Sequence, residues 1–81
     1  MRLNLERNWI GNNRWYINIQ DAKILLNIEY DHAVDLDYLR HCTVPLSVHV
    51  NGCLCSLGFT MMGGYPVWYV SPFFGQTLPL K

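Results

Sequence analysis

The sequence predicts a mainly β fold, all-β or α+β, on three observations. They are a period-two alternation in the second half, an Asn-Gly pair that splits it, and a register that carries across a second turn at Gly-Gly. From Thr43, apolar Val44, Leu46, Val48 and Val50 alternate with Pro45, Ser47, His49 and Asn51, the spacing that sends one set to a buried face and the other to its opposite. Asn51-Gly52 is the strongest short hairpin signal, since both central residues of a type I′ turn need positive φ. A two-residue turn there sets Val50 opposite Cys53, Val48 opposite Cys55, Leu46 opposite Leu57 and Val44 opposite Phe59. Every inward residue meets another inward residue. A second turn at Gly63-Gly64 continues the register, with Phe59 opposite Trp68, Leu57 opposite Val70, and Tyr69 across from Gly58, where an aromatic ring can cover the missing side chain.

The first half yields to the same test. Leu3, Leu5 and Trp9 alternate with Asn4, Glu6 and Asn8. A three-residue loop Gly11-Asn12-Asn13 brings Trp9 opposite Trp15 and Leu5 opposite Ile19, while setting Arg7 against Ile17, a mismatch that predicts a bulge or frayed edge. Folding about Asp21-Ala22 pairs Ile19 with Ile24, Ile17 with Leu26, Trp15 with Ile28 and Arg14 with Glu29. Alternation favours a strand for 22–30. A competing reading takes Asp21 as an N-cap and Ala22 to Tyr30 as a helix, because Lys23-Ile24-Leu25-Leu26 has good helix propensity. Between the halves, Asp35 can cap a short helix with Asp37 in its first turn and Arg40 and His41 in its last, each sign suited to the helix dipole.

The expected architecture is therefore two three-stranded antiparallel meanders, about 2–30 and 43–71, packed as a small sandwich or barrel and joined by a short helical segment near 35–42. The tail from Ser71 to Lys81, with Pro72, Gly75 and Pro79, reads as an irregular apolar strap.

Charge is distributed unevenly. Residues 41–80 contain no Asp, Glu, Lys or Arg, although the 81-residue chain is 15% charged and 51% apolar with a formal net charge of zero. A single domain of this size buries only about 60% of its unfolded surface, so additional burial against another chain is expected. Zero net charge removes the general attraction on which nucleic-acid and anionic-membrane binding rest. The run Gly52 to Gly75 is long enough to raise the question of a membrane span, but its five glycines and two prolines would leave helix backbone groups unpaired in lipid. The N-terminus lacks the apolar stretch of a secretory signal, and three cysteines are an odd, sparse set unlike a disulfide framework. A cytoplasmic location with reduced thiols is the resulting expectation.

Chemistry is sparse. The chain lacks a phosphate-binding glycine pattern, a Gly-x-Ser-x-Gly elbow and a His-Glu-x-x-His helix. His41-Cys42, His49 and Cys53-x-Cys55 offer zinc-type ligands, but the register points Cys53 and Cys55 into the core with Val48 and Val50 and sends His49 the other way. Glu29, Asp31, Asp35 and Asp37 match no calcium loop and read as a solvated acidic rim. No catalytic residue, metal or cofactor is expected. The expected activity is non-enzymatic binding of one protein, of the sort exercised by small inhibitors or accessory proteins of mobile genetic elements acting on a host protein. Its surface would comprise Tyr69, Met62, Val67 and Leu54 on the uncharged sheet face, with Tyr16 and the acidic residues Glu29, Asp31, Asp35 and Asp37 orienting the partner. The same composition fits a structural homo-oligomer, such as a homodimer, formed through that face or an open strand edge. Single-stranded nucleic acid stacking on Trp and Tyr of a small barrel is a third reading, weakened by the scarcity of cations.

Overall fold

The computed structural model describes residues 2–30 and 46–81. Its elements are β1 (Trp9–Gly11), β2 (Arg14–Ile17), α1 (Ile19–Tyr30), β3 (Leu46–Val50), β4 (Cys53–Met62) and β5 (Tyr65–Pro72). All described strands join one antiparallel five-stranded sheet in the order β1-β2-β5-β4-β3.

The second half folds in the predicted register. Val50, Val48 and Leu46 pair with Cys53, Cys55 and Leu57, and Phe59, Leu57 and Gly58 pair with Trp68, Val70 and Tyr69. Both turns carry the required left-handed backbone, with φ 52° and 79° at Asn51 and Gly52 and 56° and 84° at Gly63 and Gly64. The proposed Val44–Phe59 pair and the helix at 35–42 lie outside the described residues.

The first half departs from expectation, and the two-meander sandwich is replaced by a single sheet. Trp9 does pair with Trp15, but the connection is a tight Asn12-Asn13 turn, with φ 53° and 58°, and a bulge between Trp9 and Gly11. Residues 22–30 are helix, not strand, so the pairings of Ile19 with Ile24, Ile17 with Leu26, Trp15 with Ile28 and Arg14 with Glu29 do not form. Nor does Leu5 face Ile19. Strand β2 instead pairs with β5, setting Trp15 against Val70, Tyr16 against Tyr69 and Ile17 against Trp68.

Helix α1 owes its start to Asn18 rather than Asp21. The Asn18 side-chain oxygen accepts the Asp21 N–H at 2.8 Å, and its carbonyl accepts the Ala22 N–H at 3.0 Å, the geometry of an N-cap. Asp21 then sits in the first turn, where its charge suits the dipole. Ala22, Leu25 and Leu26 are the buried residues, at i, i+3 and i+4 on one stripe. A strand would have buried Ile24 and Ile28, which are 45% and 59% exposed.

The helical stripe enters a core with Val48, Val50, Cys55, Leu57 and Val70 from one sheet face, and with Leu5 and Leu78 from the chain ends. Full burial of each leucine or valine contributes roughly 1.5–3 kcal/mol. Phe59 and Trp68 close one side with rings edge-on, 5.4 Å between centroids at 63°. The terminal segments lie side by side, since the Leu5 N–H donates to Leu80 O at 2.7 Å. Asn51 holds both: its Nδ2 donates to Leu3 O at 2.8 Å and Pro79 O at 2.6 Å, and its Oδ1 accepts the Leu3 N–H at 2.6 Å. One turn residue thus makes the hairpin and fastens the strap.

Candidate functional site

With α1 and both terminal segments packed on one face, the opposite face of the sheet has no described element over it. The registers assign its rows. His49 lies beside Leu54, Ser47 beside Ser56 and Ser71, Gly58 beside Tyr69 and Tyr16, Thr60 beside Val67, and Met62 beside Tyr65. The Phe73 N–H donates to Leu54 O at 3.4 Å, bringing Phe73 next to Leu54.

Several large side chains on this face are open to solvent. Leu54, Met62 and Tyr16 are 37%, 42% and 42% exposed, and Val67 is half-buried. Tyr65 and Phe73, which sequence reasoning did not single out, are exposed as well. Both were accessible to it: the Gly63-Gly64 register that pairs Phe59 with Trp68 also pairs Met62 with Tyr65, and extending it past Pro72 puts Phe73 by Leu54.

Tyr69 behaves differently. It is buried because its ring lies across Gly58, where an added Cβ would sit 2.5 Å from Tyr69 Cζ. The Arg14 guanidinium covers it from above, 4.4 Å from the ring centroid, a cation–π geometry. The ring is committed to these neighbours and contributes little open surface. Among the described strand positions of this face, Arg14 is the only Lys, Arg, Asp or Glu. Beside Tyr16, an open cleft of about 310 Å³ is lined by Ile17, Asn18, Ile19, Pro66 and Trp68.

Of the predicted acidic rim, Glu29 is described; Asp31, Asp35 and Asp37 lie outside the described residues. Glu29 belongs to the edge of the sheet rather than to the open face. A single carboxylate oxygen accepts both the His49 backbone N–H at 2.7 Å and His49 Nδ1 at 2.6 Å. That contact with His49 holds the Glu29 carboxyl below its ordinary value, against a smaller upward push from burial. The neighbouring Tyr30 hydroxyl donates to Ser47 O at 3.1 Å. Helix side chains therefore occupy outward-pointing backbone groups of edge strand β3, which reduces its capacity to recruit another strand.

Of the zinc-type residues, His41 and Cys42 lie outside the described residues, and the described ones do not converge. Cys53 and Cys55 are buried free thiols on the core face, whereas His49 is exposed on the other. Burial, reinforced by neighbouring Cys53, pushes the Cys55 thiol up to about 12, leaving it protonated and a poor nucleophile at neutral pH. No group of three or more His, Cys, Asp or Glu able to hold a metal occurs among the described residues, and no described helix is long and apolar enough to cross a membrane. No protein-family model, curated protein or solved structure matches the chain.

Proposed function

We propose that the chain is a small protein-binding module that recognises one partner protein through the sheet face opposite α1 and has no catalytic role of its own. The observation that carries this reading is that exposed Tyr16, Leu54 and Met62 are spaced along one sheet face whose described strand positions hold one guanidinium, itself laid over Tyr69. Aromatic residues and Met are enriched at the centres of protein interfaces and charges are depleted there. The scarcity of cations also disfavours a strand of nucleic acid, which would need a charged groove to hold its backbone.

The test is affinity capture of the tagged chain from lysate of its native host, after nuclease treatment and at low and high salt, beside a Leu54→Asp, Met62→Asp double variant. Both substituted side chains are exposed, so the variant is expected to keep its fold, which circular dichroism checks. One protein retained at fixed stoichiometry and high salt, and lost by the variant, supports the reading. Recovery of only the chain itself as a defined oligomer assigns the face to self-association, and salt-sensitive recovery of nucleic acid overturns the proposal.

A further inference from the structure

Asn51 stands before Gly52, and every other asparagine precedes a residue with a side chain: Leu5, Trp9, Asn13, Arg14, Ile19 and Ile28. We propose that Asn51 and Gly52 form a site of spontaneous covalent modification, the loss of the Asn51 amide through a cyclic imide, gated by opening of the terminal strap that the same side chain fastens. The inference is independent of the binding role.

The chemistry needs only water and base. The Gly52 backbone nitrogen, its proton taken by hydroxide, attacks Asn51 Cγ and forms a new N–Cγ bond. The Cγ–Nδ2 bond breaks, and the amide nitrogen takes up a proton from water and leaves as ammonia. Water then adds to either carbonyl of the five-membered imide and opens it, to aspartate or to its β-linked isomer. One water is consumed and one ammonia released, with no change of oxidation state. Glycine leaves the attacking nitrogen unshielded: nothing lies within 4 Å of where a Gly52 Cβ would sit.

The folded chain opposes the first step. Cyclisation requires the carboxamide to swing over its own backbone, whereas Asn51 is buried with Nδ2 held by Leu3 O and Pro79 O and Oδ1 held by the Leu3 N–H. All three bonds must break together. Their partners, Leu3 and Pro79, lie in segments outside the helix and the strands, where local opening is easiest, so the frequency of strap opening sets the rate. Three hydrogen bonds of ordinary strength keep the open fraction on the order of 1 in 100.

Either product prevents the strap from closing normally. Aspartate puts an anionic oxygen where Nδ2 donated, facing two carbonyl oxygens. The isomer adds a backbone atom to a two-residue turn that aligns Val50 with Cys53. Leu5 and Leu78, the buried side chains of the strap itself, lose their hold on the core. Transient fraying is thereby converted into a permanent chemical mark and a loosened core.

The experiment ages the full chain in mildly alkaline buffer and follows the gain of one mass unit, mapped to residues by peptide mass spectrometry. Arms are the folded chain, the urea-unfolded chain, a Leu80→Ala variant that trims the strap's contact with the core, and a Phe74→Ala control at a fully exposed position. The expected result is reaction at Asn51 first in every arm. It should be about 100-fold slower folded than unfolded, about tenfold faster in Leu80→Ala than in the parent, and unchanged in the control. Should Leu80→Ala not fold, the parent in urea below its unfolding transition replaces it, with hydrogen exchange at Leu3 reporting strap opening. Equal rates for folded and unfolded chains, faster reaction at another asparagine, or increased strap opening without faster reaction at Asn51 would each overturn the proposal.

Discussion

Replacing Asn51 tests the link between hairpin and strap most directly, because the residue serves both. Asn51→Gly keeps the φ of 52° accessible but removes the side chain and its three hydrogen bonds to Leu3 and Pro79. At roughly 1 kcal/mol each, their loss is expected to destabilise the chain by about 3 kcal/mol. Asn51→Ala removes the same bonds and also forces a Cβ into left-handed backbone, adding about 1 kcal/mol, for a total of about 4 kcal/mol. Those are large fractions of a stability expected near the low end of the usual range of roughly 5–15 kcal/mol. Urea titrations followed by tryptophan fluorescence measure both, since buried Trp68 reports loss of the core. The pair of variants separates the two contributions: the difference between Ala and Gly is the backbone term, and the deficit of Gly is the clamp. An Asn51→Gly variant within about 0.5 kcal/mol of the parent would mean that the clamp adds nothing, and would refute the reasoning.

Three further outcomes are expected. Gly58→Ala should cost about 1 kcal/mol, because the new methyl displaces Tyr69; nitration of Tyr69 should rise sharply, and an unreactive Tyr69 would contradict its position over Gly58. Asn18→Ala should destabilise by about 1 kcal/mol and lower helix content by circular dichroism, whereas Asp21→Ala should do less; the reverse order would restore Asp21 as the cap. Since the His49 contact lowers the Glu29 pKa below 4.5, Glu29 contributes stability that is present above that value and is lost as pH falls through the folded-state pKa. Glu29→Gln should flatten that acid limb, and denaturation midpoints measured across it would show identical slopes if the contact were without consequence.

How far the fold could be read from the sequence varies sharply between its halves, and the reason lies in how local the determining interactions are. At 46–72 the decisive signals are Asn51-Gly52 and Gly63-Gly64, turns whose backbone demands are met within two residues. Once a turn is fixed, the register of ten or more residues follows, and with it the inward placement of Cys53 and Cys55 and the outward placement of Leu54, Met62 and Val67. Tyr65 and Phe73 follow from the same arithmetic. At 22–30 the local pattern is ambiguous: Ile24, Leu26 and Ile28 alternate, while Ala22, Leu25 and Leu26 form a helical stripe, and a short apolar run fits both periods. Asn18 is a legible cap signal in favour of helix, three residues before Asp21, the cap of the competing helical reading.

The candidate surface divides in the same way. Its membership on one sheet face is a matter of parity along strands, which the sequence determines. Whether a side chain on that face remains open is decided by neighbours remote in sequence. Tyr69 is removed from the surface by Gly58 on one adjacent strand and by Arg14, 55 residues earlier, from another. Glu29 is drawn to the edge by His49 across the helix–strand contact.

The sequence by itself therefore determined the two glycine turns, the register of β3, β4 and β5, and the segregation of an uncharged outer face from an apolar inner one, because each depends on backbone conformations and side-chain parity within a few residues. Only the tertiary structure decided that β2 takes β5 as its partner, that 19–30 turns as a helix to roof the inner face, and that Asn51 ties both chain ends. These choices compare buried area between segments distant in the chain. Pairing β2 with β5 and laying Ala22, Leu25 and Leu26 over Val48, Val50 and Val70 closes one core, while the opposite face retains its exposed apolar side chains.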